Sequence, residues 1–449
     1  MKKEKSLRGS LPLEKQETLK SGFLSDRTCL AINHALSKTP IGQAVFDPSS
    51  LMEVTPHFSI EIKTLPVANQ KSSGRCWIFA GLNLLREGIA KKLNLKEFEL
   101  SQNYLSLFDK IEKANFALES ILSLSNREPT DRTLMFVLDC PISDGGQWDM
   151  FVNLVLKYGL MPKTCFPETY QSENTREGNQ LVNQRIRQFA SKASKLIKEG
   201  KEEEAREEKE KAMEEIYRFY LSLYGVPPKT FDFSYVDNKD KYHLEKGLTP
   251  KSFFEKYIGD EINLYQSLIN SPTEDKPFNR NYTVDYLGNV IEGKPINHLN
   301  LPMERIKEAI IAQLKEGKPV WFGSDVALYG GKDLFAWDDA SKDYKSAFGF
   351  SPEFDKGEML DFRASAMNHA MLITGVDIVD GEIRRWKIEN SWGKEVGSKG
   401  YYVMSSSWFD RFVYQAVVLR KYLTPSEVSA TLEEPTHLDP WDPMGTLAD

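Results

Sequence analysis

The sequence predicts an α+β fold in which a helix-rich half precedes a strand-rich half. Between residues 77 and 158 apolar residues recur at helical spacing, whereas short apolar or alternating runs bounded by Gly, Asp or Asn follow residue 318. A run of strands after a run of helices is typical of α+β folds, with a cleft between the two halves. The length of 449 residues is enough for two or three packed units.

Composition divides the chain into five segments. A mostly helical lead-in comes first, followed by a helix-rich segment and then by one that is rich in charged and turn residues. The fourth segment carries the strands, and the fifth contains four prolines, which exclude one continuous helix. The expected segments are residues 1–60, 61–170, 171–300, 301–422 and 423–449.

Helices and strands are predicted within these segments as follows. In the second segment, one helix covers residues 77–95, another begins after Ser101 as its N-cap, and a third covers 148–158. In the third segment, residues 196–217 place Glu and Lys three or four positions apart, which indicates one solvent-exposed helix rather than a binding site. The predicted strands are residues 318–324, 369–376, 385–390, 400–404 and 415–421.

The overall charge and the N-terminus exclude several classes of protein. A net charge of −7 gives no sign of affinity for phosphate groups, so nucleic acid is a poor candidate partner, although net charge leaves a locally basic channel open. The charged and polar N-terminus lacks the apolar core of a signal peptide. No run of about 18 apolar residues predicts a transmembrane helix, so a soluble protein without a membrane partner is expected.

The four cysteines are too sparse for a disulfide framework. Cys29, Cys76, Cys140 and Cys165 include no Cys-x-x-Cys pair, which disfavours a metal or redox site. Free thiols without an export signal fit the reducing cytoplasm. Three of the four are expected to be small buried side chains, and Cys76 alone is singled out for chemistry.

Cys76 lies where a nucleophile would be activated. It falls at the predicted start of the helix over 77–95, and Gly74 permits a tight entry and close approach of a substrate backbone. A helix N-terminus and a neighbouring imidazolium both lower the pKa of a thiol by stabilising its thiolate. Gln70, in the loop before the helix, would join the Cys76 N–H in an oxyanion hole.

Two later motifs supply the remaining parts of such a site. His369 begins an apolar strand, and Asn390 ends another and opens the run Asn-Ser-Trp-Gly. An amide oxygen that accepts the imidazole N–H would fix the ring, and Trp392 would shield that bond from water. Taken singly, each residue fits an ordinary structural role, such as a turn cap at Asn390. Together they indicate one site.

This order of motifs resembles the papain superfamily: Gln70, then Cys76-Trp, then Asn-His369-Ala, then Asn390-Ser-Trp-Gly. Two departures are informative. Ser73 stands where papain and the cathepsins carry a disulfide-forming Cys, and His369 follows Cys76 by roughly 150 residues more than their signature expects. Residues 171–300 have about the size of the insertion that this spacing requires.

The two departures point to one branch of the papain superfamily, and the chain is similar to that branch, the cytosolic bleomycin hydrolase and bacterial aminopeptidase C family. Ser-Gly-Arg-Cys76-Trp, Asp144-Gly-Gly-Gln-Trp148, Asn368-His-Ala-Met and Pro440-Trp-Asp-Pro-Met-Gly445 all resemble it. The resemblance implies a papain-like two-subdomain core, a helical insertion that builds oligomer contacts, and a homohexamer.

The same resemblance implies a C-terminal arm in the non-primed side of the cleft. Ala448 and Asp449 would then bind the substrate's ammonium group, and Asp449 is either retained or trimmed. Gly145 and Gly146 resemble the family's substrate-binding strip, although a helix-entry turn accounts for them equally well.

These observations predict a cysteine aminopeptidase that acts on peptides with a free N-terminus. Thiolate Cys76 attacks the carbonyl, and His369, held by Asn390, protonates the leaving amine and then activates water. No metal or organic cofactor is needed. The alternatives are an endopeptidase with an open cleft and a nucleic-acid-binding protein of the same fold. The preferred N-terminal residue and the physiological substrate are not predicted.

Overall fold

The structure of the chain, a computed structural model, describes residues 9–52, 54–332, 334–352 and 354–448. It divides into two compact units. One comprises Met1–Val54 with Asp338–Asp355, and the other comprises Thr55–Trp337 with Lys356–Asp449. Every described residue of the candidate site lies in the second unit.

Helices dominate the first half of the chain. The described α-helices are α1 (Leu13–Ser25), α2 (Arg27–Leu36), α3 (Ile41–Ala44), α4 (Cys76–Leu93), α5 (Gln102–Leu124), α6 (Arg132–Asp139), α7 (Trp148–Tyr158), α8 (Tyr170–Glu173), α9 (Arg176–Lys198), α10 (Glu202–Tyr224), α11 (Pro250–Tyr257), α12 (Met303–Lys315), α13 (Tyr344–Phe348), α14 (Lys356–Asp361), α15 (Ser406–Phe412) and α16 (Pro425–Ala430). Short 3₁₀ helices cover Pro48–Leu51, Lys163–Cys165, Gly259–Leu264, Arg420–Tyr422 and Pro443–Ala448.

Strands dominate the second half. The described strands are β1 (Ile60–Glu61), β2 (Phe231–Val236), β3 (Tyr242–Leu248), β4 (Tyr265–Ile269), β5 (Arg280–Val284), β6 (His298–Asn300), β7 (Val320–Ser324), β8 (Ala336–Trp337), β9 (His369–Val379), β10 (Glu382–Glu389), β11 (Tyr401–Ser405), β12 (Val413–Leu419) and β13 (Thr436–Leu438).

One large sheet organises the second unit. Its order is β13-β5-β6-β4-β12-β7-β9-β10-β11-β8, with β1 paired to β9, while β2 and β3 form a separate hairpin. Strands β7 and β12 are buried along their whole length, as expected of strands covered on both faces. The start of α4 belongs to the same apolar core as β7 and β9, and the Trp321 indole donates to the Trp77 carbonyl at 3.2 Å. Helix and sheet are thereby locked together beside Cys76.

The predicted elements around the site are confirmed. Helices α4, α5 and α7 lie where the sequence placed them, and the Ser101 hydroxyl caps α5 by accepting the Tyr104 N–H. The five predicted strands correspond to β7, β9, β10, β11 and β12. The mixture of helices with a mainly antiparallel sheet confirms the α+β class.

The single exposed helix predicted over residues 196–217 is wrong. The helical conformation is interrupted at Gly200, whose positive φ of 73° suits glycine. These residues therefore contain the end of α9 and most of α10. The two helices pack through a buried apolar face that includes Ile186 and Ala205, and Arg185 on α9 pairs with Glu215 on α10. The charges therefore cover one side of a helical hairpin.

Three further findings bear on the sequence predictions. Strands β4, β5 and β6 pair within the large sheet, so that sheet crosses the expected segment boundary at residue 300. The prediction that three cysteines are buried is wrong, because Cys140 is exposed and Cys29 and Cys165 are half-buried. In the described ranges no helix is long and apolar enough to cross a membrane.

Candidate active site

The structure places Cys76 at the first residue of α4. Because the first residues of a helix have no intrahelical acceptor for their N–H groups, the Cys76 N–H is available to a ligand. The side chain is buried, and its Sγ accepts the N–H of Ala370 at 3.4 Å. Ala370 follows His369 directly, so the sulfur of this helical residue contacts the start of β9 in the strand-rich half.

His369 is held by neutral partners. Its Nε2 lies 2.9 Å from Oδ1 of Asn390, and that oxygen also accepts the Ser391 N–H at 2.7 Å. An amide oxygen only accepts, so Nε2 carries the proton and Nδ1 of the neutral ring is free to take one. The indole of Trp392 stacks on the imidazole with ring centres 4.8 Å apart. Asn390 and Trp392 thus both contact the imidazole, and the orienting and shielding roles that the sequence suggests for them stay predictions.

Gln70 joins the loop before α4 to the loop after β10. Its side-chain Nε2 donates to the Ser73 carbonyl at 2.6 Å, and its Oε1 accepts the Ser391 hydroxyl at 2.6 Å. Its backbone N–H donates to the Ser391 carbonyl at 2.8 Å. The side chain is buried and its orientation is fixed, with one amide N–H left over after the bond to Ser73.

Burial controls the protonation of the sulfur and the imidazole. It raises the pKa of the Cys76 thiol to about 11, although the N–H groups of Ala370 and Trp77 lower it. Burial also lowers the pKa of His369 to about 4, against the bond to Asn390, which raises it. The predicted lowering of the thiol pKa is therefore wrong for this structure, because desolvation outweighs the effect of the helix N-terminus.

The strip of residues 143–146 holds the C-terminal tail. The Gly146 N–H donates to the Leu447 carbonyl at 3.0 Å, and the Ser143 hydroxyl donates to the Ala448 carbonyl. A Cβ at Gly145 would lie 2.3 Å from the Leu447 carbonyl oxygen, so only glycine permits this contact. Leu447 and Ala448 are buried, whereas Asp449 lies outside the described residues.

A cavity of about 520 Å³ brings the predicted residues together. Gln70, Cys76, His369 and Gly145 line it, and Leu447 of the tail closes part of it. Gly146 is set back, because its Cα faces the Trp77 ring. A larger cavity of about 700 Å³ lies around Glu87 on another face of α4 and includes none of these residues.

Asp144 and two lysines beneath the strip were missed as individual site residues. Lys110 on α5 donates to Oδ1 of Asp144 at 2.6 Å, and Lys113 donates to the Ser143 carbonyl at 3.2 Å. Both lysines are buried. Two lysines three positions apart among the apolar residues of a buried helix were the available signal, since buried ammonium groups need acceptors. Within the described ranges no cluster of three His, Cys, Asp or Glu side chains forms a metal site.

Comparison with known proteins identifies the family. A profile of the peptidase C1-like family matches residues 10–445. The chain belongs to this family. Among its relatives, Aminopeptidase C of Listeria monocytogenes is 42% identical over 98% of this chain and 99% of its own length. Human bleomycin hydrolase is 42% identical over 86% of each chain.

A solved structure that this chain resembles over nearly its whole length has the same fold. The crystal structure of PepW from Lactobacillus rhamnosis HN001 covers 98% of this chain and 99% of its own, at 42% identity and a TM-score of 0.95. The fold is therefore that of the papain-like cysteine peptidases, as the motifs predicted.

Proposed function

We propose that this chain, a cysteine aminopeptidase of the peptidase C1-like family, hydrolyses peptides through a thioester on Cys76. The observation that supports this most directly is the meeting of three groups: Cys76 Sγ accepts the Ala370 N–H at 3.4 Å, and His369 presents Nδ1 while Nε2 is held 2.9 Å from Asn390. A nucleophile, a proton carrier and its orienting group thus line or adjoin one cavity.

In the proposed acylation step, Nδ1 of His369 takes the thiol proton as Sγ attacks the peptide carbonyl carbon. The resulting oxyanion accepts the Cys76 N–H and the remaining N–H of the Gln70 amide. The carbon–nitrogen bond then breaks, and the imidazolium gives its proton to the leaving amine. The products are a thioester and a shortened peptide.

In the proposed deacylation step, water attacks the thioester carbon while His369 takes one of its protons. The carbon–sulfur bond breaks and the proton returns to the sulfur, which restores the neutral pair. Each transfer creates opposite charges side by side, and their attraction in the buried site offsets the loss of solvation. Asn390 keeps the ring aligned throughout.

We further propose that the tail confines cleavage to the amino end of a peptide. Leu447 and Ala448 lie on the strip of residues 143–146, and their backbone occupies one side of the cleft. A substrate that meets this block has its first residue opposite Cys76, with its ammonium group beside the end of the tail. The carboxylates of Asp449, or the α-carboxylate of Ala448 after trimming, would pair with that ammonium.

A product time course on a free-amine peptide and its N-acetylated twin tests these steps. Wild-type protein is expected to release residues from the free-amine peptide alone. Cys76→Ala is expected to release none while its circular dichroism stays unchanged. Turnover by Cys76→Ala would refute the nucleophile, and cleavage of the acetylated twin by wild-type protein would favour the endopeptidase alternative.

Deletion of residues 446–449 tests the tail separately. Opening the blocked side is expected to produce internal cleavage of the acetylated peptide, with less release of single residues from the free-amine peptide. A truncated protein that still ignores the acetylated peptide would contradict the role of the tail. Intact mass measurement of the purified chain then decides whether Asp449 is retained.

Assembly, location and segment boundaries are also proposals. We propose a homohexamer with α9 and α10 among its contacts, because the family resemblance extends over nearly the whole chain. Light scattering is expected to give six times the chain mass of 51.3 kDa. A cytoplasmic location is supported by the four widely spaced cysteines, which include no Cys-x-x-Cys pair and are too sparse for a disulfide framework. We also propose the five segments predicted from the sequence as divisions of the chain, with the large sheet continuing across residue 300.

A further inference from the structure

Asp144 connects three parts of the molecule that meet beside Cys76. Its Oδ2 accepts the Gly74 N–H at 2.9 Å, in the loop before α4. Its main-chain carbonyl accepts the Trp77 indole N–H at 2.7 Å, in the first turn of α4. The residues that follow it, Gly145 and Gly146, contact the tail. Asp144 is therefore bonded to the chain on both sides of the sulfur.

From these contacts we infer that Asp144 is a positioning residue, which fixes the loop before Cys76 against the tail-binding strip and so sets the geometry of the oxyanion site. This inference rests on the proposed function and assigns a role within it. Gly74 and Asp144 are packed so closely that a Cβ at Gly74 would lie 2.7 Å from the Asp144 Cβ. Glycine at position 74 is thus required by this contact.

The loop that Asp144 fixes carries both proposed oxyanion donors. The Gln70 amide is oriented by its bond to the Ser73 carbonyl, and the Cys76 N–H follows two residues after Gly74. The peptide group between Ser73 and Gly74 offers its carbonyl to Gln70 and its N–H to Asp144. A shift of that one peptide group would move both donors, and misplacement of about 1 Å is enough to cost about 100-fold in rate.

The charge of Asp144 excludes a different explanation. A carboxylate beside the cleft opposes formation of the thiolate, and Asp144 indeed acts to raise the pKa of Cys76. If the charge alone mattered, its removal would help the sulfur to ionise. The benefit of Asp144 therefore lies in the geometry of its bonds.

The carboxylate is itself held by several side-chain donors. Although burial raises its pKa, the Lys110 ammonium holds the pKa of Asp144 well below its usual range, so the group is charged at any working pH. Asn179 donates to Oδ1 at 2.8 Å, and the Thr175 hydroxyl donates to Oδ2. Thr175 is the residue before α9 and Asn179 lies in its first turn. Asp144 thus connects the start of α9, in the helical hairpin, to the loop that precedes Cys76.

Asp144→Asn tests the inference through two measurements made on the same protein. Turnover of an aminoacyl amide needs the oxyanion donors, whereas alkylation of Cys76 by iodoacetamide needs only the sulfur and His369. In Asp144→Asn, kcat is expected to fall about 10- to 100-fold with KM changed less than about threefold. Alkylation is expected to be unchanged or faster, because the opposing charge is gone.

Asn179→Ala gives a second test that leaves the carboxylate and its Lys110 partner in place. It is expected to lower kcat by about threefold, with alkylation unchanged. The matched control is Asn238→Ala, which removes an exposed amide bonded to Asn94 and is expected to leave both rates unchanged. This pair also separates a local effect from a folding defect, since Asn179→Ala retains the buried ion pair.

Three outcomes would decide against the inference. Wild-type kcat in both Asp144→Asn and Asn179→Ala would overturn it. Equal loss of alkylation and turnover in both variants would also overturn it, because that pattern marks a general disruption of the site. Aminoacyl amide turnover that persists in the Cys76→Ala variant would refute the proposed function itself, and the inference with it.

Discussion

The two walls of the cleft are stabilised in opposite ways. On the helical wall, the strip of residues 143–146 rests on buried charges, with Lys110 against Asp144 at 2.6 Å and Lys113 against Asp109 at 3.0 Å. On the strand wall, the imidazole of His369 contacts neutral groups, the Asn390 amide and the Trp392 indole. One wall uses ion pairs beside the nucleophile, and the other holds the imidazole with uncharged side chains.

This difference follows from what each wall must do. The helical wall has to hold backbone segments without secondary structure of their own, and charged hydrogen bonds to carbonyl and N–H groups do this strongly. The strand wall has to keep the imidazole neutral until it takes a proton. A buried carboxylate in place of Asn390 would oppose this, because it would raise the pKa of the imidazole. The following four predictions test the comparison, beginning with the largest effect.

His369→Ala is expected to lower kcat on an aminoacyl amide by about 1,000-fold or more, because the site loses the group that carries the proton in both steps. His437→Ala is the matched control, since the exposed side chain of this histidine bonds Asp285, and its loss is expected to leave kcat unchanged. Loss of less than about tenfold in His369→Ala would contradict the assignment of the proton carrier.

Lys110→Met is expected to lower the free energy of unfolding by about 3–5 kcal/mol, because it leaves Asp144 buried without its cation. Urea denaturation measures this change. Lys198→Met removes an exposed partner of Glu128 and is expected to cost less than about 1 kcal/mol. Similar costs for the two variants would show that the helical wall does not depend on its buried charge.

Asn390→Ala is expected to lower kcat about 10- to 100-fold, because the ring of His369 loses the acceptor that aligns it. The lost bond normally raises the pKa of His369, so the acid limb of kcat/KM is expected to move to lower pH. Steady-state rates between pH 3 and pH 7 check both effects. A limb that moves to higher pH would contradict this account of the bond.

Trp392→Leu is expected to move the acid limb the other way. In wild-type protein the limb should lie near pH 4, because the base must be unprotonated and burial lowers the pKa of His369 to about 4. Without the stacked indole, water reaches the ring and its pKa rises towards 6.5, so activity is lost at a higher pH, by about one unit. An unchanged limb would show that Trp392 does not shield the imidazole.

The parts of the site that could be predicted are those in which residues close together in the sequence act together. Cys76 with its helix, and Asn390 with the turn and Trp392, lie in short segments whose local structure follows from local sequence. The structure brings these segments together as expected, with Ala370 donating to the sulfur. The fold class was predictable for the same reason, since the apolar residues of helices α4, α5 and α7 recur at helical spacing and Ser101 caps α5.

What could not be predicted depends on burial and on partners distant in sequence. The thiol pKa rises because residues from both halves exclude water from Cys76, an effect that the helix start alone does not reveal. Lys110 and Asp144 are 34 positions apart and pair only after α5 packs under the strip. Strands β4 to β6 have no strong local pattern and join the sheet through their neighbours.

The binding of Leu447 and Ala448 to the strip of residues 143–146 also has a practical consequence for the preparation of this protein. An affinity tag or fluorescent fusion attached behind residue 449 would extend the chain from within the cleft, where the carbonyls of both residues are already engaged. The added polypeptide would have to displace the substrate or pull the tail out. Purification handles for this chain therefore belong at its amino end.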